Sequence, residues 1–541
     1  MPRTRRAIGG ALAVLLLLGP LGTAAHADPV PSPLHRDGGW IVDEHGRVVL
    51  LRGVNVVWKA APFVPPDVPG GLTDVDLARI AGHGFDVVRL GVAFEGLMPQ
   101  KGQVDEGYLD LVAAVVDRIA AHGMYALIDV HQDLMGKPWG NGFPSWAIRH
   151  SPELEALEPD LGFPLNAVRP SHNLAWDFFW ADGRLEPTDP QGVVGYLTDA
   201  IGALADRIGD HPALAGIEII NEVWAGTPVL TCAGLFVVGC PFVDTYVQRT
   251  WQRITDRIRQ ADPDVLVWWE PSSAWNLTAA SQLGAPPLTP AITDPQVAFA
   301  FHDYCAFGEL STYLGAPAEL QQSCDLYHDV TWQNAATFKA RTGLPQLVTE
   351  FGNIDDGVEL ERSLRRSDAT FTGWQYWHYG AGFAPRADSS EPFTEVQRAH
   401  LVRTYPRATA GTPGPMSFDA ATGEMRYSYA PSDLGAPTEI AVSDEHYPTG
   451  YEVVVDGGRV TSAASASLIT IEADAATAEV AVIIRRATTV SAPTVTVAPA
   501  PAPIRELPAT GNDPGATGWV LALAAALVLR LRRTRGAAPL G

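Results

Sequence analysis

Short apolar segments alternate with amphipathic segments from residue 49 to about residue 405 of the chain. Stretches 105–122, 192–208 and 242–260 repeat apolar residues with the period of a helix that packs on one face. Eight other segments have the length and composition of buried strands: 49–56, 86–92, 125–131, 214–221, 265–270, 297–304, 346–351 and 373–379. This alternation is typical of parallel βαβ units.

Eight such units over about 350 residues predict an α/β fold, a (β/α)8 TIM barrel within residues 28–411. The longest connections, 134–190 and 223–245, follow the third and fourth strands. Connections of this kind lie at the carboxyl-terminal face of a barrel, where barrel enzymes have their active sites. We therefore expect the two insertions to surround a functional site.

The pattern changes after residue 411. A Pro/Gly-rich stretch is followed by segments in which apolar and polar residues alternate, such as 451–456, 467–472 and 479–485. This period predicts a small antiparallel β-sandwich over residues 412–487. Residues 488–506 are rich in Pro, Ala and Thr, and they predict an extended linker.

The two ends of the chain predict export. Residues 1–27 combine a basic start, a short apolar run and the Ala-His-Ala pattern of a secretory signal peptide. Residues 507–541 resemble the LPxTG cell-wall sorting signal of Gram-positive bacteria, in which an apolar segment and a basic tail follow the motif. The resemblance implies that sortase cleaves the last bond of the motif and joins the protein to peptidoglycan, so the protein is cell-wall anchored or secreted. The motif residues are Leu507, Pro508, Ala509, Thr510 and Gly511.

Charge and cysteine content narrow the class of protein. The formal net charge is −23, which makes the chain a poor candidate for electrostatic binding to nucleic acid or to anionic lipid. Four cysteines in an exported chain favour two disulfides, and proximity in sequence predicts the pairs Cys232–Cys240 and Cys305–Cys324. Since the His and Cys residues are not clustered, we expect neither a metal site nor a cofactor.

Polar and aromatic residues gather where the predicted strands end. Because the strand ends of a barrel meet at one face, these residues are expected to lie together although they are far apart in sequence. They are Arg89, His131, Asp133, Asn221, Glu222, His302, Tyr304, Glu350 and Trp377. Two glutamates at different strand ends indicate carboxylate-pair catalysis, as in retaining glycosidases, in which one carboxyl group protonates the leaving oxygen and the other attacks the anomeric carbon.

Asn221-Glu222 after the fourth strand and Glu350 after the seventh resemble the signature of glycoside hydrolase family 5, and the similarity extends over about residues 37–487. The resemblance implies that Glu222 is the acid/base and Glu350 the nucleophile. Arg89 would keep the nucleophile ionised, since a nearby cation lowers the pKa of a carboxyl group. Asn221 would bind the sugar 2-hydroxyl. The family also implies positioning roles for His131, His302 and Tyr304, and a stacking role for Trp377.

Within that family the chain most resembles the endoglycoceramidases, which separate the oligosaccharide from the ceramide of glycosphingolipids. The stretch LRGVNVVWKAAPFVPP places Lys59 after the first strand, and DVHQDLM supplies Asp133. By the resemblance both residues contact the sugar. An aromatic insertion and a C-terminal sandwich also accompany the barrel in these enzymes.

The two insertions carry many apolar side chains. They could form a surface that contacts ceramide or a lipid surface, or they could pack on one another as the core of a lid. The residues are Trp139, Phe143, Trp146, Trp176, Phe178, Phe179 and Trp180 in the first insertion, and Val229, Leu230, Leu235, Phe236, Val237, Val238 and Phe242 in the second.

The leading hypothesis is therefore a retaining endo-β-glycosidase that acts on glycosphingolipids. Alternatives within the class are an endogalactosylceramidase-type specificity and a β-glucan or mannan endo-hydrolase. A glycolipid-binding surface adhesin is a further alternative, but the presence of both glutamates argues against it. A carbohydrate-binding role for the sandwich is also disfavoured, because its few aromatic residues fit packing better: Phe418, Tyr427, Tyr429, Tyr447 and Tyr451.

Overall fold

The computed structural model describes residues 31–229, 240–308, 318–379 and 390–487. Its strands, numbered in chain order, are β1 His35–Asp37, β2 Trp40–Val42, β3 Val48–Val49, β4 Arg52–Val56, β5 Val87–Val92, β6 Tyr125–Val130, β7 Leu214–Glu218, β8 Val267–Trp269, β9 Val297–Asp303, β10 Gln346–Gly352, β11 Gly373–Trp377, β12 Tyr405–Thr409, β13 Gly411–Asp419, β14 Glu424–Pro431, β15 Thr438–Ala441, β16 Tyr451–Asp456, β17 Gly458–Val460, β18 Leu468–Ala473 and β19 Val480–Arg486. The α-helices are Asp74–Gly82, Phe94–Leu97, Glu106–Ala121, Pro152–Glu155, Pro170–Trp180, Val193–Ile208, Pro241–Ala261, Cys324–Thr342, Gly357–Thr370 and Glu395–Leu401. Short 3-10 helices are Ser145–Ala147, Leu165–Val168, Ser273–Leu277 and Ala318–Ser323.

Strands β4 to β11 form a closed parallel barrel. The sheet closes where β11 pairs with β4, with Trp374 opposite Arg52. Most of the barrel strands are buried along their whole length, so they appear in the sequence as nearly unbroken apolar runs. All eight predicted barrel strands are confirmed. The first one begins later than predicted, since Val48–Val49 belongs to a different sheet.

The C-terminal unit is a β-sandwich of a four-stranded sheet, β13-β14-β19-β16, and a seven-stranded sheet, β1-β2-β3-β12-β15-β18-β17. The predicted sandwich over 412–487 was therefore too short. Strand β12 precedes that boundary, and β3 pairs with it in antiparallel register, Val48 opposite Thr409. These early strands join the sandwich because Val42 and Val48 are buried in its core with Ile440.

The aromatic residues of the sandwich pack inward, as predicted. Phe418, Tyr427, Tyr429, Tyr447 and Tyr451 are all buried. Tyr427 and Tyr429 stack with their ring centroids 5.6 Å apart. These side chains therefore stabilise the sandwich and offer no stacking surface to a carbohydrate.

The insertion over 134–190 is an aromatic core. Trp176 is fully buried and contacts Phe143, Phe179 and Trp180 through ring pairs 5.4 to 6.1 Å apart. Trp139 is also buried, and Trp146 and Phe178 are partly buried. Of the two predicted alternatives, the packed core of a lid is therefore the one that the structure supports for the buried rings, because they pack against one another.

The second insertion is described only in part. Val229 is buried, whereas Phe242 is 74% exposed at the start of the helix Pro241–Ala261. Leu230, Leu235, Phe236, Val237 and Val238 lie outside the described residues. Across the described ranges, no helix has the length and apolar character needed to cross a membrane.

Candidate active site

Glu222 and Glu350 meet at the carboxyl-terminal face of the barrel. Glu350 lies within β10, and Glu222 lies four residues beyond the end of β7. One carboxylate oxygen of each, together with a ring nitrogen of His302, lie within 4.8 Å of one another. Retaining glycosidases hold their two carboxyl groups about 5–5.5 Å apart, so this spacing fits a direct attack by one carboxylate.

Arg89 is the buried cation at the centre of the site. Its Nη1 donates to Glu350 Oε1 at 2.6 Å, and its Nε donates to Glu218 Oε2 at 2.6 Å. It also donates to Asn221 Oδ1 and to Asn55 Oδ1, both at 2.9 Å. The guanidinium therefore fixes the nucleophile candidate and the amide beside the acid/base candidate at the same time.

Asp129 and His131 form a second layer beside Arg89. Asp129 Oδ2 lies 3.1 Å from Arg89 Nη1 and 2.6 Å from His131 Nδ1. Burial opposes a charge on His131, but the Asp129 carboxylate outweighs it and raises the pKa of His131 to about 9. The His131 ring stacks on Trp377, with centroids 5.4 Å apart and planes 12° apart.

Lys59 and Asp133 form a buried ion pair at the edge of the site. Lys59 Nζ lies 2.7 Å from Asp133 Oδ2 and 4.7 Å from the ring centroid of Trp377. Asn141 Nδ2 donates to the same Asp133 oxygen at 2.8 Å. Burial alone would raise the pKa of Asp133, but Lys59 and His131 hold it far below its usual range. The pair therefore presents fixed charges beside an aromatic face, an arrangement suited to sugar hydroxyls.

Two donors orient the Glu350 carboxylate. Arg89 occupies Oε1, and the Tyr304 hydroxyl donates to Oε2 at 3.1 Å. The Glu350 side chain is only 6% exposed. Its oxygens are thus held in one orientation before any substrate arrives.

Glu222 has a different environment. Its backbone is in the left-handed region, with φ at 45°, and its N–H donates to Glu270 Oε2 at 3.0 Å. Its Oε1 accepts from His302 Nδ1 at 2.8 Å and from Asn276 Nδ2 at 2.6 Å. The side chain is 26% exposed, so it opens toward the cleft more than Glu350 does.

His302 lies between the two glutamates. Its Nδ1 is 2.8 Å from Glu222 Oε1 and 3.6 Å from Glu350 Oε2. Burial opposes its protonation, but the carboxylates of Glu270, Glu350 and Glu222 raise the pKa of His302 to about 10. In turn, burial raises the pKa of Glu222, but the hydrogen bond and charge of His302 outweigh it and lower that pKa overall.

The structure brings all the predicted sugar-site residues to this face. They are Lys59, Arg89, His131, Asp133, Asn221, Glu222, His302, Tyr304, Glu350 and Trp377. Residues that the sequence interpretation missed also take part, namely Asn55, Asp129, Glu218, Glu270 and Asn276. Asp129 and Glu218 could have been predicted from the sequence, because each is a charged residue inside an apolar strand and therefore needs a buried partner.

One predicted disulfide, Cys305–Cys324, is present with a Cα–Cα distance of 5.5 Å. Cys240 is disulfide-bonded as well, and its predicted partner Cys232 lies outside the described residues. The predicted signal peptide, linker and sorting signal with its Thr510–Gly511 bond also lie outside them.

Two family models match the chain. One is described as cellulase (glycosyl hydrolase family 5) and matches residues 42–381. The other is described as the glycoside hydrolase family 5 C-terminal domain and matches residues 403–485. The two matches correspond to the barrel and to most of the sandwich.

Several proteins that are similar to this chain in sequence or in structure are named endoglycoceramidases. The chain is 46% identical over 449 residues to endoglycoceramidase I of Rhodococcus hoagii (strain 103S), with 83% of this chain and 87% of that protein covered. The structure of endo-glycoceramidase II from Rhodococcus sp. in complex with ganglioside GM3 is similar with a TM-score of 0.68 and 25% identity, covering 84% of this chain and all of that chain. An endogalactoceramidase structure shares the fold, with a TM-score of 0.60 and 23% identity over 84% of this chain and all of that chain. The chain thus belongs to glycoside hydrolase family 5 and, within it, to the endoglycoceramidases.

Proposed function

We propose that this protein hydrolyses the bond between the oligosaccharide and the ceramide of glycosphingolipids, with retention of configuration. The single observation that carries the chemistry is the close approach of Glu222 and Glu350, with His302 between them. The substrate class rests on the relative that is 46% identical and on the GM3 complex of a similar structure.

In the first step Glu350 attacks the anomeric carbon while Glu222 donates a proton to the leaving ceramide oxygen. Arg89 and Tyr304 aim the Glu350 carboxylate, because each donates a hydrogen bond to one of its two oxygens. The bond to ceramide breaks, and a covalent glycosyl-enzyme ester forms on Glu350.

In the second step Glu222, now a carboxylate, takes a proton from water as the water attacks the same carbon. The ester bond to Glu350 breaks, and the free oligosaccharide leaves with its original anomeric configuration. His302 supports this change of role, because its protonated ring stabilises the Glu222 carboxylate between the two steps.

The remaining residues bind the sugar. The Asn221 side-chain oxygen accepts from Arg89, and its amide nitrogen donates to the Gln132 carbonyl oxygen at 3.0 Å, which leaves one amide N–H for the sugar 2-hydroxyl. The ion pair of Lys59 and Asp133 supplies charged hydrogen-bond partners for hydroxyl groups. Trp377 supplies an aromatic face beside them.

Two substitutions test the proposed roles. Glu350→Gln should abolish hydrolysis of lactosylceramide while the circular dichroism spectrum stays unchanged. Glu222→Ala should lose most activity on lactosylceramide but regain turnover with azide on an aryl lactoside that has a good leaving group, because azide needs no general base. Near-normal turnover by the first variant, or no rescue of a folded second variant, would contradict the assignment.

The substrate class needs its own test with three parallel substrates. Glucosyl-linked glycosphingolipids, galactosyl-linked glycosphingolipids and a β-glucan or mannan polymer should be offered at equal concentrations of cleavable bonds. The proposal expects the highest kcat/KM on the glucosyl-linked lipids. A preference for galactosyl-linked lipids or for the polymer would keep the two glutamates and change the substrate. Binding without turnover of any substrate would support the adhesin alternative.

We also propose that the protein is exported and anchored to the cell wall of a Gram-positive bacterium. The support is the order of parts in the sequence, with a signal peptide over 1–27 and the LPATG motif ahead of an apolar segment and a basic tail. Sortase would cleave between Thr510 and Gly511 and join the protein to peptidoglycan. The test is release of activity from intact cells by a peptidoglycan hydrolase, with Leu507→Ala as the variant expected in the medium. Activity that stays in the cytoplasm would contradict the proposal.

A further inference from the structure

Asn276 is an uncharged partner of the proposed acid/base. It lies in the 3-10 helix Ser273–Leu277, just beyond β8, and its Nδ2 donates to Glu222 Oε1 at 2.6 Å. His302 Nδ1 donates to the same oxygen at 2.8 Å. Two donors therefore occupy Oε1, whereas no residue of the described ranges forms a hydrogen bond with Glu222 Oε2.

This asymmetry decides where the catalytic proton resides. A carboxylic acid carries its proton on one oxygen, and an oxygen that already accepts two hydrogen bonds is the poorer place for it. The proton of Glu222 is thus directed to Oε2, and Oε2 is left to meet the leaving oxygen. His302 alone would leave the carboxyl group free to rotate about that single contact, whereas a second donor on Oε1 fixes the plane.

The position of Asn276 is itself fixed from two sides. Ser273 donates to the Val223 carbonyl oxygen through its N–H at 2.9 Å and through its hydroxyl at 3.1 Å, which ties this helix to the residue after Glu222. On the other side, the Tyr327 hydroxyl donates to the carbonyl oxygen of Asn276.

Tyr327 is anchored by the Cys305–Cys324 disulfide. Tyr327 lies one turn into the helix that Cys324 begins, and it is buried in one cluster with both cysteines. The neighbouring Phe307 ring contacts it edge-on at 6.2 Å. Cys305 directly follows Tyr304, the residue that donates to Glu350. A single crosslink therefore supports the partners of both glutamates.

We propose that Asn276 is a positioning residue for the acid/base, held in place by Tyr327 and the Cys305–Cys324 disulfide. The inference rests on the proposed function, in which Glu222 protonates the leaving oxygen. Asn276 acts through Glu222, so its contribution is confined to steps that need proton transfer at that carboxyl group.

The test compares two lactosides that differ in their need for an acid. Lactosylceramide has a poor leaving group and needs protonation, whereas dinitrophenyl lactoside has a good leaving group and does not. Asn276→Ala should lower kcat/KM for lactosylceramide about 10- to 100-fold, the effect of one hydrogen bond to a charged group. The same variant should change kcat/KM for dinitrophenyl lactoside by less than about 3-fold. The good leaving group needs no proton from Glu222, so losing the Asn276 hydrogen bond should matter little there.

Asn276→Asp is the second variant, since it keeps the size of the side chain and replaces the donor by an acceptor. It should show the same selectivity for leaving group, that is, a large loss of kcat/KM on lactosylceramide and a small one on dinitrophenyl lactoside. Tyr327→Phe keeps the ring and removes only the hydroxyl, so it should show the same selectivity with a smaller loss. Equal losses on both substrates, or no loss on either, would overturn the proposal.

Asn334→Ala is the matched control. Asn334 Nδ2 donates to the Thr278 carbonyl oxygen at 3.0 Å, so it supports the same segment without contacting Glu222. This variant should change kcat/KM for the two substrates by the same factor.

Glu222→Ala is run in parallel. If it does not lose more activity on lactosylceramide than on dinitrophenyl lactoside, the proposed function of Glu222 fails and the role of Asn276 fails with it. If Glu222→Ala shows the selectivity and both Asn276 variants do not, only the role of Asn276 fails.

Discussion

His328 should make the stability of this protein depend on pH. It lies fully buried behind the strand end that carries His302 and Tyr304. Its Nδ1 lies 2.7 Å from Asp303 Oδ1, and its Nε2 lies 3.0 Å from Glu359 Oε1. Burial would lower the pKa of His328, but the two carboxylates raise it to about 9 from an ordinary value of 6.5.

The sign and size of the effect follow from the coupling between protonation of His328 and folding. Because the pKa is raised in the folded state, the stabilisation is complete below pH 6.5 and is lost as the pH rises through 9. The difference between the two pKa values corresponds to about 3 kcal/mol of the free energy of unfolding. His328→Gln keeps a hydrogen-bonding side chain of similar size but cannot carry the charge.

The assay is urea unfolding of both proteins, followed by tryptophan fluorescence, at several pH values from 6 to 9.5. Other titrating groups, such as His131 and His302, are common to both proteins and cancel in the difference. We expect the wild type to be the more stable protein at pH 6 and the advantage to shrink by about 3 kcal/mol by pH 9.5. A constant difference across this range would refute a charged His328 between Asp303 and Glu359.

Three other changes test the site and its supports. Arg89→Met leaves buried carboxylates without their cation, so it should lower the free energy of unfolding by about 3–5 kcal/mol in urea titrations; an unchanged midpoint would contradict this. Asp133→Asn breaks the buried ion pair with Lys59 and should lower kcat/KM for lactosylceramide about 10- to 100-fold, whereas unchanged kinetics would exclude a sugar contact. The double variant Cys305→Ser, Cys324→Ser should lose about 3 kcal/mol of stability by calorimetry, and equal stability to wild type would refute its supporting role.

The barrel could be predicted because its strands are buried on both faces. Segments such as 214–221 and 297–304 contain few polar residues, and amphipathic helical segments such as 192–208 and 242–260 alternate with the strands. The short strands β1 to β3 could not be assigned to the sandwich in this way. Their pairing joins Val48 to Thr409 across the whole barrel sequence, and no local pattern specifies such a partner.

The residues of the site could be predicted only in part. Glu222 and Glu350 stand near the carboxyl ends of β7 and β10, where the topology brings them together. Asn276 lies in the connection that follows β8. Its role depends on a contact with Glu222 that only the three-dimensional structure shows. Nothing in the sequence near Asn276 marks that contact.

The aromatic insertion shows a different limit. The sequence shows that residues 134–190 are rich in large aromatic side chains, but it does not show which residues pack against them. Trp176 has enough aromatic neighbours within its own insertion to be fully buried. Other rings of the insertion pack on residues outside it, such as Phe143 on Phe94 and Trp180 on Tyr246, and only the structure identifies these partners.

The most direct test of the proposed activity is mass analysis of both products after the full-length protein is incubated with ganglioside GM3. We predict one intact sialyl-oligosaccharide and one free ceramide, formed in equal amounts, and neither product with Glu350→Gln. Stepwise release of single sugars, or a lipid product that keeps a sugar, would contradict cleavage between the oligosaccharide and ceramide.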